Sequence, residues 1–429
     1  MTGDVGRSPA TRLARHLGTF DAVVIGLGSM IGAGVFAAIG PASDAGGAGM
    51  LIGLAVAAVV AYCNASSSAQ LAALHPTSGG AYLYGRERLG RFWGYLAGWG
   101  FVIGKLASCA AMALTFGSYA APDLRRPLAL VAVVTLTAVN YRGIQKTAWL
   151  TRAIVAVVLT SLAAVVVASL LGGAADTSNV GTVDGGAHGV LRAGGLLFFA
   201  FAGYARIATL GEEVADPART IPRAIPLALG ITLAVYATVA GAALLALGAD
   251  GLAESSAPLA AAARAGTLDW LAPAVRIGAT IASLGVLLSL MVGVSRTAFA
   301  MAANRDLPRW LDAVHPRHRV PHRAELVVAA VVAVAVAVTD LRGAIGFSSF
   351  AVLTYYAITN AAAWTLGPGE RRWSRWLAAV GLLGCLALAL SLPVASVVGG
   401  TVVLAVGVAA WAVAELRRKR ADRGHRRPG

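Results

Sequence analysis

The chain has 429 residues, of which 58% are hydrophobic and only 13% are charged. Soluble domains carry roughly a quarter charged residues, so this composition excludes an ordinary soluble enzyme. A membrane-spanning helix needs about 20 apolar residues, and the apolar content is sufficient for about twelve such helices. The net charge of +15 would suggest a nucleic-acid partner in a soluble protein, but the dense basic cluster at 417–427 directly follows an apolar run. That position is typical of a cytoplasmic membrane flank, so we expect a lipid bilayer and no nucleic acid as partner.

Apolar runs between charged residues and Pro or Gly breaks predict twelve membrane spans. They lie near 20–41, 47–73, 91–120, 124–140, 150–172, 189–211, 222–249, 272–303, 322–339, 343–366, 374–393 and 394–416. One alternating set of connections, which includes both termini, holds 26 basic residues, and the other set holds six. This bias predicts that both termini are cytoplasmic. The connections are too short for a separate soluble domain, so residues 1–429 are predicted to form one transmembrane domain.

Two segments are expected to interrupt helices inside the membrane. In span 1, residues 26–34 include four glycines, which fit either a small-residue packing face or a break in the helix. In span 6, Gly203 stands close to Arg206, and a charge inside a membrane is costly enough to mark function. The two segments are five spans apart, an odd number, so the repeats that contain them would be inverted. Interrupted helices at matching positions of inverted repeats predict a binding site at the midplane.

Motifs spread from span 1 to span 8 carry a resemblance to a known family. In chain order they lie at 28–36 with 40–41, 76–84, 140–143, 198–204, 212–217, 221–225 and 295–301. With these motifs the chain resembles the amino acid–polyamine–organocation superfamily, most closely its bacterial amino acid permeases and cationic amino acid transporter branch. The resemblance implies an all-α integral membrane fold of about 12 transmembrane helices. It comprises a five-plus-five inverted repeat (20–172 and 189–366) with discontinuous helices 1 and 6, followed by two additional helices (374–416).

The resemblance also implies a secondary active transporter that moves amino acids across the plasma membrane by alternating access. No sodium constellation is evident, which favours proton-coupled uptake, and an amino acid or polyamine exchanger is the alternative. A membrane enzyme would need a nucleophile–base or metal set, and a channel would need a ring of charges or carbonyls from an oligomer; the sequence favours neither. We therefore expect an amino acid substrate with a proton as the candidate coupling ion, and no cofactor, catalytic residue or metal. The sequence indicates nothing about a partner subunit.

The resemblance places the substrate on backbone groups of the two interrupted segments. Its carboxylate would accept hydrogen bonds from the N–H groups of Ala33 and Gly34, because the N-terminus of a half-helix offers unpaired donors. Its ammonium group would meet carbonyls of both segments, namely those of Met30, Ile31, Phe199, Ala200 and Ala202. The predicted substrate-binding set also includes Gly32, Gly203 and Tyr204. Tyr204 is either an aromatic gate beside the site or a packed aromatic.

The chain departs from the family pattern at charged positions. Where proton-coupled relatives have a lysine in span 5, this chain has Val158. Lys105 in span 3 is a candidate replacement, since a desolvated lysine can titrate near working pH, and a purely structural lysine is the alternative. Arg206 could recognise a side-chain carboxylate, act as a fixed counter-ion or pair with Glu212. Arginine does not titrate usefully, which makes it a poor proton carrier.

Overall fold

The computed structural model describes residues 18–75, 79–143, 148–204, 207, 214 and 216–425. These residues form fifteen α-helices, with short 3₁₀ turns between some of them and an isolated antiparallel bridge between Gly47 and Val183. The helices are α1 (Thr19–Met30), α2 (Ala33–Gly46), α3 (Met50–Leu74), α4 (Gly80–Arg88), α5 (Arg91–Ala120), α6 (Arg125–Tyr141), α7 (Ala148–Leu171), α8 (Gly186–Phe201), α9 (Pro217–Glu254), α10 (Pro258–Arg264), α11 (Ala272–Ala303), α12 (His322–Val338), α13 (Leu341–Trp364), α14 (Arg375–Ser391) and α15 (Val394–His425).

Seven of the described helices are long and apolar enough to cross a membrane, namely α3, α5, α7, α9, α11, α13 and α15. The bent pair α1 and α2 makes an eighth if the two form one span, and α14 is a shorter apolar helix. Helices α6, α8 and α12 have 17, 16 and 17 residues and lie where spans 4, 6 and 9 are predicted. The predicted all-helical, multi-pass character is therefore confirmed, whereas the count of twelve spans stays a prediction.

The outer surface of the bundle is apolar, as a lipid environment requires. On α15, Val398, Val402 and Val406 are spaced by one helical turn and each is more than half exposed. The helices α5 and α13 are the most enclosed of the long helices, and α15 is the least. The core therefore lies around α5 and α13, and it is packed mainly with alanine, glycine and other small residues that let helix backbones approach closely.

The glycine-rich segment of span 1 contains a break in the helix. Helix α1 ends at Met30, α2 begins at Ala33, and the axis turns by 46° between them. Gly32 lies between the helices in a non-helical conformation (φ −125°, ψ −144°). The same segment also packs closely, because a Cβ on Gly28 would lie 2.8 Å from a Val155 methyl group of α7. The segment therefore contains both a break in the helix and a small-residue packing contact, the two interpretations of the glycine pattern.

The second predicted interruption also ends a helix. Helix α8 ends at Phe201, and a 3₁₀ turn follows over Ala202–Tyr204. Helix α9 begins at Pro217, where the Asp216 carboxylate accepts a hydrogen bond from the Arg219 N–H. Arg206 lies outside the described residues, so its predicted roles stay predictions.

Candidate functional site

The two helix interruptions are in contact with each other. A Cβ on Gly34 would lie 2.7 Å from the Cα of Ala200, and a Cβ on Gly203 would collide with the carbonyl oxygen of Ser29. Side chains at these two glycine positions would force the backbones apart, so glycine is what permits the close crossing. The start of α2 and the end of α8 are thereby held side by side.

The crossing brings backbone donors next to backbone acceptors. The first N–H groups of α2, those of Ala33 and Gly34, have no carbonyl partner within their own helix, and Gly32 has no side chain to cap them. The last carbonyls of α1 and α8, including those of Met30 and Ala200, are helix-end acceptors. The helix dipoles add partial positive charge at the α2 start and partial negative charge at the two ends. This arrangement is chemically complementary to a small zwitterion.

Tyr236 of α9 connects the two acceptor ends. Its hydroxyl oxygen lies 2.5 Å from the Met30 carbonyl oxygen and 3.2 Å from the Ala200 carbonyl oxygen. A phenol has one hydroxyl proton, so it donates to one of these carbonyls at a time. The side chain is wholly buried, and Thr232, one turn earlier, contacts the Met30 sulfur at 3.9 Å. Sequence reasoning missed Tyr236, because a tyrosine in an apolar run carries no signal that separates it from the other nine.

Tyr204 is wholly buried among helices behind the end of α8. Its ring lies 5.1 Å from the ring of Tyr356 in α13. A polar cluster lies beside it, in which the Asn360 amide donates to the Asn64 side-chain oxygen at 2.6 Å and the Cys385 thiol donates to the same oxygen at 3.3 Å. In this conformation Tyr204 packs against aromatic and polar side chains, and both of its predicted roles, a gate and a packed aromatic, stay predictions.

The other predicted site residues are placed as follows. Met30 and Ile31 are 1% exposed and Ala33 is wholly buried, whereas Phe199 and Gly203 are partly exposed. Lys105 lies in the middle of α5, where it has no hydrogen bond or ion pair with any described residue. Val158 is wholly buried in α7. Within the described ranges, no cluster of three or more His, Cys, Asp or Glu side chains is suited to hold a metal ion.

A charged cluster at one end of the bundle joins four segments of the chain. Asp306, which follows α11, accepts a hydrogen bond from the Tyr82 hydroxyl at 2.7 Å and pairs with Arg91 at 3.1 Å. Arg86 and Arg418 lie 3.7 and 4.0 Å from the same carboxylate, whose side chain is 1% exposed. Burial and the hydrogen bond to Asp306 raise the pKa of Tyr82 to about 12, so this phenol stays protonated. The cluster attaches α4, the start of α5 and the end of α15 to the segment after α11.

The fold defines a multi-pass membrane protein in which two helix interruptions cross. The family model described as "Amino acid permease" matches residues 17–413. An uncharacterized transporter of Mycobacterium tuberculosis is 65% identical over 410 residues, which cover 95% of this chain and 93% of that protein. The branched-chain amino acid permease BcaP of Bacillus subtilis is 26% identical over 337 residues, covering 73% and 72% of the two chains. Cationic amino acid transporter 4 of Mus musculus is 29% identical over 378 residues, which cover 81% of this chain and 59% of that protein.

The chain therefore belongs to the amino acid permease family. It is a transporter and not an enzyme, and the superfamily predicted from its motifs is confirmed.

Proposed function

We propose that the protein carries an amino acid across the plasma membrane by alternating access, with the substrate bound where the α1–α2 break crosses the end of α8. The contact of Gly34 with Ala200 is the observation that supports this site most directly, because it sets α2 donors beside α8 acceptors. The substrate carboxylate accepts hydrogen bonds from the Ala33 and Gly34 N–H groups. The ammonium group meets the carbonyls at the two helix ends. These are the carbonyls of Met30, Ile31, Phe199, Ala200 and Ala202.

Alternating access fits a site whose binding groups at the α1–α2 break are buried. Because Met30, Ile31 and Ala33 are buried, a substrate reaches them only when the helices around the crossing separate. Tyr236 is the positioning residue in this proposal, since its hydroxyl holds the same two carbonyl ends that the substrate ammonium group needs. The hydroxyl can turn its hydrogen bond from one carbonyl to the other, which provides two arrangements for one set of groups.

We further propose proton symport with Lys105 as the coupling group. A lysine without an acidic partner among the described residues is free to change its charge, and the buried Val158 supplies no ligand for a cation. The amine would then accept and release the coupling proton. Exchange of one amino acid for another is the alternative, and the coupling experiment in the Discussion separates the two. The surplus of basic residues in the connections that include both termini supports a cytoplasmic location for the two ends.

Thermal unfolding of the purified protein, measured with each of the twenty amino acids and common polyamines, identifies the substrate. A ligand of the folded state raises the unfolding midpoint in proportion to the logarithm of its concentration over Kd. The panel includes branched-chain and cationic amino acids, which the names of two relatives suggest. If no amino acid raises the midpoint, the proposed substrate class is wrong.

The binding mode is tested with the best amino acid and its amide. The amide lacks the anionic carboxylate, so it should compete at least about tenfold less well for uptake into proteoliposomes. Gly34→Ala should remove binding of the acid, because the added methyl group meets the Ala200 backbone. Gly230→Ala is the matched control, since a Cβ at Gly230 has no other atom within 4 Å. Equal competition by acid and amide would contradict the assignment of Ala33 and Gly34.

A further inference from the structure

A cavity of about 370 Å³ lies apart from the central crossing, on the face predicted to be extracellular. Two arginines line it, Arg264 at the end of α10 and Arg276 near the start of α11, together with two serines, Ser255 and Ser256. The rest of the lining is proline and alanine. The cavity therefore combines two permanent positive charges with a small apolar floor.

Both arginines lack an acidic partner. Arg276 donates to the backbone carbonyl of Ala120 at 3.1 Å, and Arg264 has no hydrogen bond to any residue that the structure describes. No described carboxylate lies within 4 Å of either guanidinium group. By contrast, Arg342 on the same predicted face pairs with Asp44 at 2.7 Å. Neither positive charge of the cavity is therefore ion-paired with a carboxylate that the structure describes.

The serines add neutral donors to the same cavity. The Ser255 hydroxyl accepts a hydrogen bond from the Ala257 N–H at 3.1 Å, which leaves its own proton free to donate. Guanidinium and hydroxyl groups together are donors that suit a carboxylate or an oxyanion. The alanine and proline side chains suit the short carbon skeleton of such an anion.

The cavity adjoins α10, a short helix that is linked to α2 through the side chain of Tyr119. Helix α10 is largely buried, and its Leu259 N–H donates to the Tyr119 hydroxyl at 3.3 Å. The same hydroxyl donates to the carbonyl of Phe36 at 3.2 Å, and Phe36 lies in the first turn of α2, three residues after Ala33. Tyr119 thus connects α10 with the helix start that we propose for the substrate carboxylate. An anion held between Arg264 and Arg276 would fasten α10 to α11.

We propose that this cavity binds a small anion through Arg264 and Arg276, and that the anion holds α10 against α11. The anionic group is either the carboxylate of an arriving amino acid or an inorganic anion. The first source rests on the proposed function, and the second does not.

Sulfate is the probe for the anion site. Thermal unfolding of the full-length protein is followed in a titration with sodium sulfate, and the Arg264→Gln protein at the same sulfate concentrations is the reference for the effect of ionic strength. The expected result is a saturable rise of the unfolding midpoint with sulfate. Arg264→Gln should weaken the apparent affinity for sulfate at least about tenfold, because a charge-assisted contact is lost. Arg264 is exposed and has no described partner, so this substitution should not disturb folding.

Arg192→Gln is the matched control, since it removes a positive charge from the same predicted face without touching the cavity. The control should keep the affinity of the unsubstituted protein. The proposal is overturned if sulfate gives no saturable shift, or if Arg264→Gln responds like Arg192→Gln.

A second arm identifies the source of the anion. Gly34→Ala removes the proposed central site, so any shift of the unfolding midpoint that an amino acid still produces in this variant comes from another site. If adding Arg264→Gln to Gly34→Ala abolishes that shift, the anion in the cavity is the substrate carboxylate. A shift with sulfate and none with the amino acid in the Gly34→Ala protein identifies an inorganic anion. The two proposals fail separately. If sulfate raises the unfolding midpoint but no amino acid is taken up, the anion site stands and the transport proposal is wrong. If an amino acid is taken up but sulfate has no effect, the transport proposal stands and the anion site is wrong.

Discussion

At the scale of single residues, Tyr236 shows how one side chain can join two helix ends. Met30 and Ala200 are 170 positions apart in sequence, and both present a carbonyl to the same hydroxyl. The Met30 carbonyl also accepts the Gly32 N–H at 2.7 Å, so loss of the hydroxyl removes one hydrogen bond and leaves that carbonyl a donor. One such hydrogen bond contributes about 0.5–1.5 kcal/mol, and the hydroxyl also sets the spacing of the two acceptors. The glycines at the crossing were predicted from sequence, whereas the tyrosine was not, because nothing in its flanking residues 232–240 indicates what it faces.

Tyr236→Phe tests this role. The variant keeps the ring and removes the hydroxyl, so we expect a lower free energy of unfolding by about 0.5–1.5 kcal/mol and a KM for uptake raised about tenfold. Thermal unfolding and initial-rate uptake in proteoliposomes measure the two effects. Tyr62→Phe is the matched control, since Tyr62 has no hydrogen bond to a described residue. If Tyr236→Phe changes stability but leaves KM unchanged, the residue is structural only.

At the scale of elements, the helices were easier to predict than the breaks within them and the contacts between them. Apolar runs predicted a helix in each expected span, because a membrane requires the backbone to satisfy its own hydrogen bonds. The glycine pattern at 26–34 did not distinguish a packing face from a break, since glycine weakens a helix and also permits close packing. The structure contains both, with the break at Ile31 and Gly32 and the packing contact at Gly28.

Asp306 joins elements in a way that separate sequence motifs did not indicate. Its carboxylate is nearly enclosed and is shared by Tyr82, Arg91, Arg86 and Arg418. Asp306→Asn should lower the free energy of unfolding by about 1–3 kcal/mol, because the arginines, each about a third exposed, keep partial solvation when the charge is lost.

Asp44→Asn is the control for Asp306→Asn, since its pair with Arg342 is about half exposed and should contribute at most about 1 kcal/mol. Thermal unfolding compares the two variants. Equal effects would show that the Asp306 cluster stabilises no more than a surface ion pair.

At the scale of the whole molecule, coupling is the property that transport across a membrane adds to binding. If Lys105 carries the coupling proton, Lys105→Ala should abolish proton-driven accumulation of the substrate and leave exchange intact. Uptake into proteoliposomes with and without an inward proton gradient measures accumulation, and counterflow with substrate-loaded vesicles measures exchange. Arg296→Ala is the control, because Arg296 is another cation in a predicted span but lies near the end of α11, within reach of Glu325. Unchanged accumulation in Lys105→Ala rejects this role.

The sequence by itself determined the class of this protein, its multi-pass helical character and its family. The physical reason is that lipid requires long apolar helices, and the glycine-rich motifs require a backbone that approaches other backbones closely. Only the tertiary structure decided which groups meet, because Gly34 with Ala200, Tyr236 with Met30, and Tyr204 with Tyr356 are contacts between residues far apart in the chain. A local sequence pattern indicates the secondary structure that a segment prefers. It does not indicate which residues of distant segments will contact that segment in the fold.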